Sequence, residues 1–284
     1  MTKFFSVRIR TFTIPVFAVF SYVFGQIFAQ ILTLFIYSPK GSSPESPVAV
    51  LETHSGSTIL FESVFMFFLI GAALLLFRDT LSSASFFRKP TSNFSFFSFF
   101  VSMGMLGFSQ LYFNFLQYLS MSSGGLSDLL EEYSAHMETR VQGVEQICFF
   151  IGLAIFIPVV EEFIFRGFIM GEFMKTMHPI FAIILSSLIF GAIHIQPLQI
   201  GYAFFCGMFL GSFYFLSKNF LLVCLIHMFF NFFGGVLPVL LPENSGAYWF
   251  LGNMYFLSLP ISLFYMYYLW KEGKKGNANK EYSA

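Results

Sequence analysis

Apolar residues arrive in this chain as unbroken blocks of 16 to 30, with short polar stretches between them. Eight blocks can be read: Thr11–Tyr37, Thr58–Phe77, Phe94–Leu119, Val144–Phe173, Ile180–Ile195, Ile200–Leu216, Phe220–Leu241 and Tyr248–Trp270. A hydrocarbon core about 30 Å thick needs about 20 such residues per helical crossing. Backbone polar groups in lipid must be satisfied internally, so only helices or closed barrels span it. Barrel strands alternate apolar and polar residues, and these blocks do not. The expected class is therefore all-α, a polytopic membrane protein with about eight transmembrane helices. The fifth and sixth blocks depart most from this template, being short and separated only by Gln196–Gln199.

Composition agrees with that class. Mean hydropathy is +0.73, and charged residues make up 11% of the chain, against about a quarter in soluble domains. The zero net charge excludes the basic footprint of a nucleic-acid binder, leaving membrane lipid as the expected surroundings. Cys148, Cys206 and Cys224 lie inside apolar blocks without a pairing pattern, so neither a disulfide framework nor a cysteine metal site is expected.

Lys and Arg set the orientation. With the N-terminus inside, Lys3, Arg8, Arg10, Arg78, Arg88, Lys89, Lys175, Lys218, Lys271, Lys274, Lys275 and Lys280 fall on the inner side, and only Lys40 and Arg140 on the outer. Both termini are thus expected in the cytoplasm of a multi-pass cell-membrane protein. The first block is too long for a signal peptide and lacks a small-residue cleavage site, which reads as an uncleaved anchor. The chain divides into residues 1–121 with the first three spans, an acidic segment at 122–143, a core of four spans at 144–241, and 242–284 with the last span and a basic tail that reads as disordered. In the acidic segment Leu126, Leu129, Leu130, Tyr133, Met137, Val141 and Val144 recur at helical spacing. An amphipathic helix on the outer surface is expected there, starting near Asp128 after a break at Gly124 and Gly125.

Ionisable residues are costly inside a membrane and mark function when they occur there. The first three spans hold one carboxylate, Glu62, four residues into the second block, where it is expected to reach the outer interface. The later spans hold Glu161, Glu162, Arg166, His194, His227 and Asn231, while His54, His136 and His178 fall between blocks. Glu162 and Arg166 are four residues apart, which suits an ion pair on one helix face. Glu161 lies about 100° round that helix and is left for other work. His227 and Asn231, also four apart, point the same way. Burying these groups separately would cost several kcal/mol each, so one polar intramembrane cavity is the cheaper arrangement. Glu161 precedes His178 by 17 residues and His194 follows it by 16. In an antiparallel hairpin both then stand roughly 25 Å from the turn. His227 and Asn231 reach that depth if the hairpin tip projects roughly 10 Å into the cytoplasm. Pro158 is expected to kink the helix before Glu161, and Gly167 with Gly171, and Gly207 with Gly211, to let helices approach closely.

A carboxylate and an imidazole facing each other across a helix pair can hold a water and take its proton. A second His with an Asn one turn on offers donors to the oxyanion formed when water attacks a carbonyl. Glu161, His194 and His227 also suit zinc. The motifs EEFIFR (Glu161, Glu162, Arg166), FGAIH (Phe190, His194) and HMFFN (His227, Asn231) resemble, in order, the EExxxR, FxxxH and HxxxN motifs of the CPBP intramembrane proteases. That family includes the type II CAAX prenyl endopeptidases (Ras-converting enzymes) and bacterial bacteriocin-processing or self-immunity proteins. The likeness covers roughly Val144 to Gly235. It implies Glu161 as general base, His194 as its partner on the water, Glu162 and Arg166 as the supporting pair, and His227 with Asn231 as the oxyanion hole. The expected function is an intramembrane endopeptidase acting on a membrane-associated peptide or protein substrate. No cofactor is expected, zinc on Glu161, His194 and His227 being the alternative. The compact chain and short loops look bacterial. A non-catalytic immunity or regulatory binding protein is the competing function, and a proton-coupled transporter a third, which the lack of repeated halves disfavours.

Overall fold

In the computed structural model the backbone is described for residues 2–39, 46–76, 92–137, 142–241 and 245–281, and side chains for 9–39, 46–75, 96–135, 142–241 and 245–272. Lys40, Arg78, Arg88, Lys89, Arg140, Val141 and the end of the second block at Phe77 lie outside the described residues. So do the side chains of Lys3, Arg8, His136, Met137, Lys274, Lys275 and Lys280. Helices joined by short turns make up the described chain, with no strand among the described residues.

The helices are α1 (Thr2–Tyr37), α2 (Pro47–Thr53), α3 (Ser55–Leu76), α4 (Ser92–Ser120), α5 (Gly124–Met137), α6 (Gly143–Phe173), α7 (Pro179–Ala192), α8 (Pro197–Ser217), α9 (Phe220–Leu240) and α10 (Gly246–Glu281). Six of them, α1, α3, α4, α6, α8 and α9, are long and apolar enough to cross a membrane. The fifth block became α7, whose 14 residues rise roughly 21 Å, short of a full crossing. The eighth block lies in α10, where frequent Tyr, Trp, Ser and Asn dilute the hydropathy. That helix runs to Glu281, so the tail expected to be disordered after Trp270 continues the helix instead. α5 begins at Gly124, so the break from α4 falls at residues 121–123 and both glycines expected to make it lie inside the helix.

Large apolar side chains point outward along these helices, among them Phe12, Phe20 and Phe35 on α1. Such exposure would be a liability in water, whereas lipid accepts it. Without a hydrophobic drive between helices in lipid, association rests on close packing and interhelical hydrogen bonds. Two compact units result, Met1–Ser83 with Ser134–Ser186, and Ala84–Tyr133 with Ser187–Ala284.

In the first unit, α1 packs on α3 and on α6. Gly25 of α1 leaves room for the Met66 sulfur of α3, and Gly152 of α6 for Ile59. Thr33 and Thr58 share a hydroxyl hydrogen bond of 2.9 Å, and Phe28 stacks on Phe65 at 4.5 Å. At the start of α6, Glu145 accepts the Ser57 amide at 2.8 Å and the Ser57 hydroxyl at 2.6 Å, and pairs with His54 at 3.2 Å.

In the second unit α4 and α10 run together. A Cβ at Gly104 would collide with Ser262, and one at Gly107 with the Tyr255 carbonyl. Phe97 stacks on Tyr265 at 4.3 Å. Phe99 meets Phe229 and Phe233 of α9 edge-on. α5 is largely exposed, but its Tyr133 stacks on Phe113 and donates to the Tyr202 hydroxyl at 3.4 Å. Burial there pushes the Tyr133 phenol above its ordinary value.

Gly107→Ala should therefore force α4 and α10 apart and cost about 1–3 kcal/mol, read as a fall in thermal unfolding temperature in detergent. Gly125→Ala, with nothing near its Cβ, should leave that temperature unchanged or raise it slightly.

Candidate active site

The helix that carries the acidic motif is not uniform. α6 contains two π-helical stretches, Gly152–Phe156 and Phe163–Met170, separated by six α-helical residues, Ile157–Glu162. Pro158 sits at the start of that short α segment. Its missing N–H suits a place where the ladder changes pitch. π-bulges concentrate at functional sites because they re-aim side chains, and Glu161 and Glu162 stand at such a junction.

Glu162 and Arg166 form the pair expected from their spacing. Arg166 Nη1 donates to Glu162 Oε1 at 2.9 Å, with exposures of 2% and 0%. Glu161, also buried, turns to another helix, and its Oε1 accepts the Tyr22 hydroxyl of α1 at 2.7 Å. Tyr22 packs edge-on against Phe165 at 6.2 Å. From α3, Glu62 lies within electrostatic reach of both Tyr22 and Glu161. Contrary to expectation it does not reach an outer interface. It is 9% exposed, and its Oε1 has no hydrogen-bond partner. An apolar cavity of about 80 Å³ lies between α1, α3 and α6, lined among others by Ala18, Met66, Ile164 and Phe168.

The second unit assembles the histidines around Phe190. α7 ends at Ala192, so His194 sits in the turn after the helix rather than within a span. That turn is tight, because Ile195 takes φ 63° and Pro197 opens α8. Gly191 lets α7 approach the Ile200 carbonyl, and Gly207 makes room for Ser187 and the Phe190 ring. A Cβ at Gly171, in contrast, would meet among the described residues only the Arg166 carbonyl of its own helix. His194 Nδ1 lies 2.7 Å from the Phe190 carbonyl. A carbonyl only accepts, so Nδ1 carries the proton and the lone pair is on Nε2.

His227, buried on α9, faces the same Phe190 ring at 6.1 Å, and His194 meets it at 4.9 Å. The α9 N-terminus is fixed by Asn219, whose side chain accepts the Leu222 amide at 3.1 Å. Asn231 closes the α-helical part of α9, directly before a third π-helical stretch, Phe232–Val236. The Tyr255 hydroxyl of α10 donates to the Phe233 carbonyl of that stretch at 2.6 Å.

The first unit thus joins Glu161, Glu162 and Arg166 with Tyr22 and Glu62, and the second joins His194, His227 and Asn231 through Phe190 and α9. Sequence reasoning missed Tyr22. Its signal was a phenol inside the Phe-rich first block, whose other tyrosine, Tyr37, stands at the block's end. None of the three cysteines forms a disulfide. Among the described residues no three His, Cys, Asp or Glu side chains gather closely enough to hold a metal ion.

Residues 143–233, about a third of the chain, match the family described as type II CAAX prenyl endopeptidase, Rce1-like. All three motifs fall inside the matched stretch. No curated protein and no solved structure matches the chain.

Removing Arg166 leaves Glu162 buried beside no guanidinium, which typically costs about 3–5 kcal/mol. Arg166→Ala should sharply lower the unfolding temperature in detergent. Glu162→Gln combined with Arg166→Met should restore much of that loss.

Proposed function

We propose that this chain, whose residues 143–233 match the Rce1-like family, is an intramembrane endopeptidase that hydrolyses a peptide bond of a membrane-associated protein or peptide. The observation that carries this reading is the buried Glu161. Its carboxylate accepts the Tyr22 hydroxyl one residue from the Glu162–Arg166 pair, inside a stretch that matches a protease family.

Glu161 is the general base in this reading, and it works together with the histidine half. Glu161 takes a proton from a water that also donates to Nε2 of His194. The resulting hydroxide attacks the carbonyl carbon. Negative charge develops on the carbonyl oxygen, where N–H groups of His227 and Asn231 stabilise it. The C–N bond then breaks as the protonated Glu161 delivers its proton to the leaving amine. Glu162 and Arg166 neutralise each other and fix the helix that presents Glu161. Zinc on Glu161, His194 and His227 is the alternative way to activate the water. The distribution of Lys and Arg supports cytoplasmic termini, and the short loops support a bacterial cell membrane as the setting.

The test is cleavage by the protein reconstituted in proteoliposomes. Two internally quenched peptide sets serve as probes, one anchored by a farnesylated C-terminal CAAX sequence and one by an apolar helix without a prenyl group. Glu161→Gln and His194→Ala should abolish cleavage while insertion and unfolding temperature persist. Asn231→Ala should lower kcat by about 100- to 1,000-fold. Activity should survive chelation, and its loss on chelation would instead support the zinc route. Cleavage or phenotype retained in Glu161→Gln and His194→Ala would favour a non-catalytic immunity or regulatory role.

A further inference from the structure

Two side chains beside Glu161 belong to helices outside the matched stretch, and neither is accounted for by the three motifs. Tyr22 is 3% exposed and gives its hydroxyl to Glu161 Oε1 at 2.7 Å. Its ring is fixed edge-on by Phe165, which follows Glu161 on α6. A phenol is a costly side chain to bury among Phe residues unless its hydroxyl is used. Here its hydrogen bond is charge-assisted when Glu161 is ionised, which makes it one of the stronger kinds. It also holds the carboxylate in one orientation. A base that must meet a water in attack geometry depends on that restraint, since misplacement by about 1 Å can cost 100-fold in rate.

Glu62 is the less expected neighbour. It shares an electrostatic environment with Glu161 and Tyr22, yet Oε1 is buried and has no hydrogen-bond partner. A buried carboxyl oxygen without a donor costs about 1–3 kcal/mol or more, and a second carboxyl beside the first adds repulsion. Packing gains nothing from this arrangement, because Met or Leu would fill the volume without either penalty. An acceptor retained at such expense fits a donor that arrives with the reaction.

We propose that Tyr22 and Glu62 complete the acidic half of the site from α1 and α3. Tyr22 is a positioning residue for Glu161, and Glu62 offers Oε1 as a hydrogen-bond acceptor to a backbone N–H of the bound peptide. This inference rests on the proteolytic reading above. It adds that the first three spans furnish part of the machinery as well as surrounding it.

The experiment uses the full chain in proteoliposomes with the two quenched peptide sets, measuring kcat, KM and unfolding temperature. Tyr22→Phe removes one oxygen and should lower kcat about tenfold or more with KM within twofold, while the unfolding temperature falls only by what loss of one hydrogen bond costs. Glu62→Met should lower kcat at least tenfold while the unfolding temperature stays level or rises, a split that a purely structural role does not produce. Glu62→Gln, which keeps an acceptor oxygen and the side-chain shape, should retain more activity than Glu62→Met. Wild-type kcat in Tyr22→Phe and Glu62→Met, with Glu161→Gln inactive, would overturn this inference and leave the proteolytic reading standing. Full activity in Glu161→Gln would overturn both.

Discussion

The structure turns on placing three carboxylates and one guanidinium where water is scarce. The Glu162–Arg166 pair consumes one charge of each sign within a single turn of α6. It can do so only because the two residues share a face, while Glu161 accepts a hydrogen bond from a different helix. α1 supplies a hydroxyl, α3 supplies a second carboxyl, and the glycines at 25 and 152 bring these helices close enough to reach. A buried ion pair of this kind gives little net stability against an apolar replacement. Its value lies in specifying where α6 sits and which way Glu161 faces.

Changes of helical pitch organise both halves. The acidic residues stand between two π-helical stretches of α6, and Asn231 immediately precedes the third, in α9. A wider turn shifts the register of all side chains beyond it and leaves carbonyls to be satisfied by others. Tyr255 does this for Phe233, so α10 stabilises the irregularity that follows Asn231. His194 is presented differently, from a tight turn between α7 and α8. That turn is fixed by Ile195, Pro197 and the Nδ1 bond to Phe190, and the last of these also selects the tautomer.

Much of this was legible in the sequence, and for identifiable reasons. Continuous apolar blocks leave only helices, so class and most helix limits followed from length and hydropathy. α6 was read within one residue of its observed start, and α9 within one residue of its end. The Glu162–Arg166 pair was legible because i,i+4 spacing is local. What failed were properties that depend on distant partners. Glu62 looks like an interfacial residue from its place near a block end, and only the packing of α1, α3 and α6 buries it beside Glu161. Tyr22 carries no local motif, so its role is invisible until α1 is docked. The π-helical stretches leave no periodic signature in a segment that is apolar all round. α7 appears as a span because its apolar block continues through Ile193 and Ile195, although the chain turns at His194.

The central proposal is that Glu161 and His194 serve one and the same step of the reaction. Groups that act as a unit are non-additive when removed. A double-mutant cycle on kcat with Glu161→Gln and His194→Ala tests this directly, using whichever quenched peptide the wild-type protein cleaves. The account predicts that the double variant is no slower than the slower single variant. Losses that multiply would show two independent contributions and contradict it.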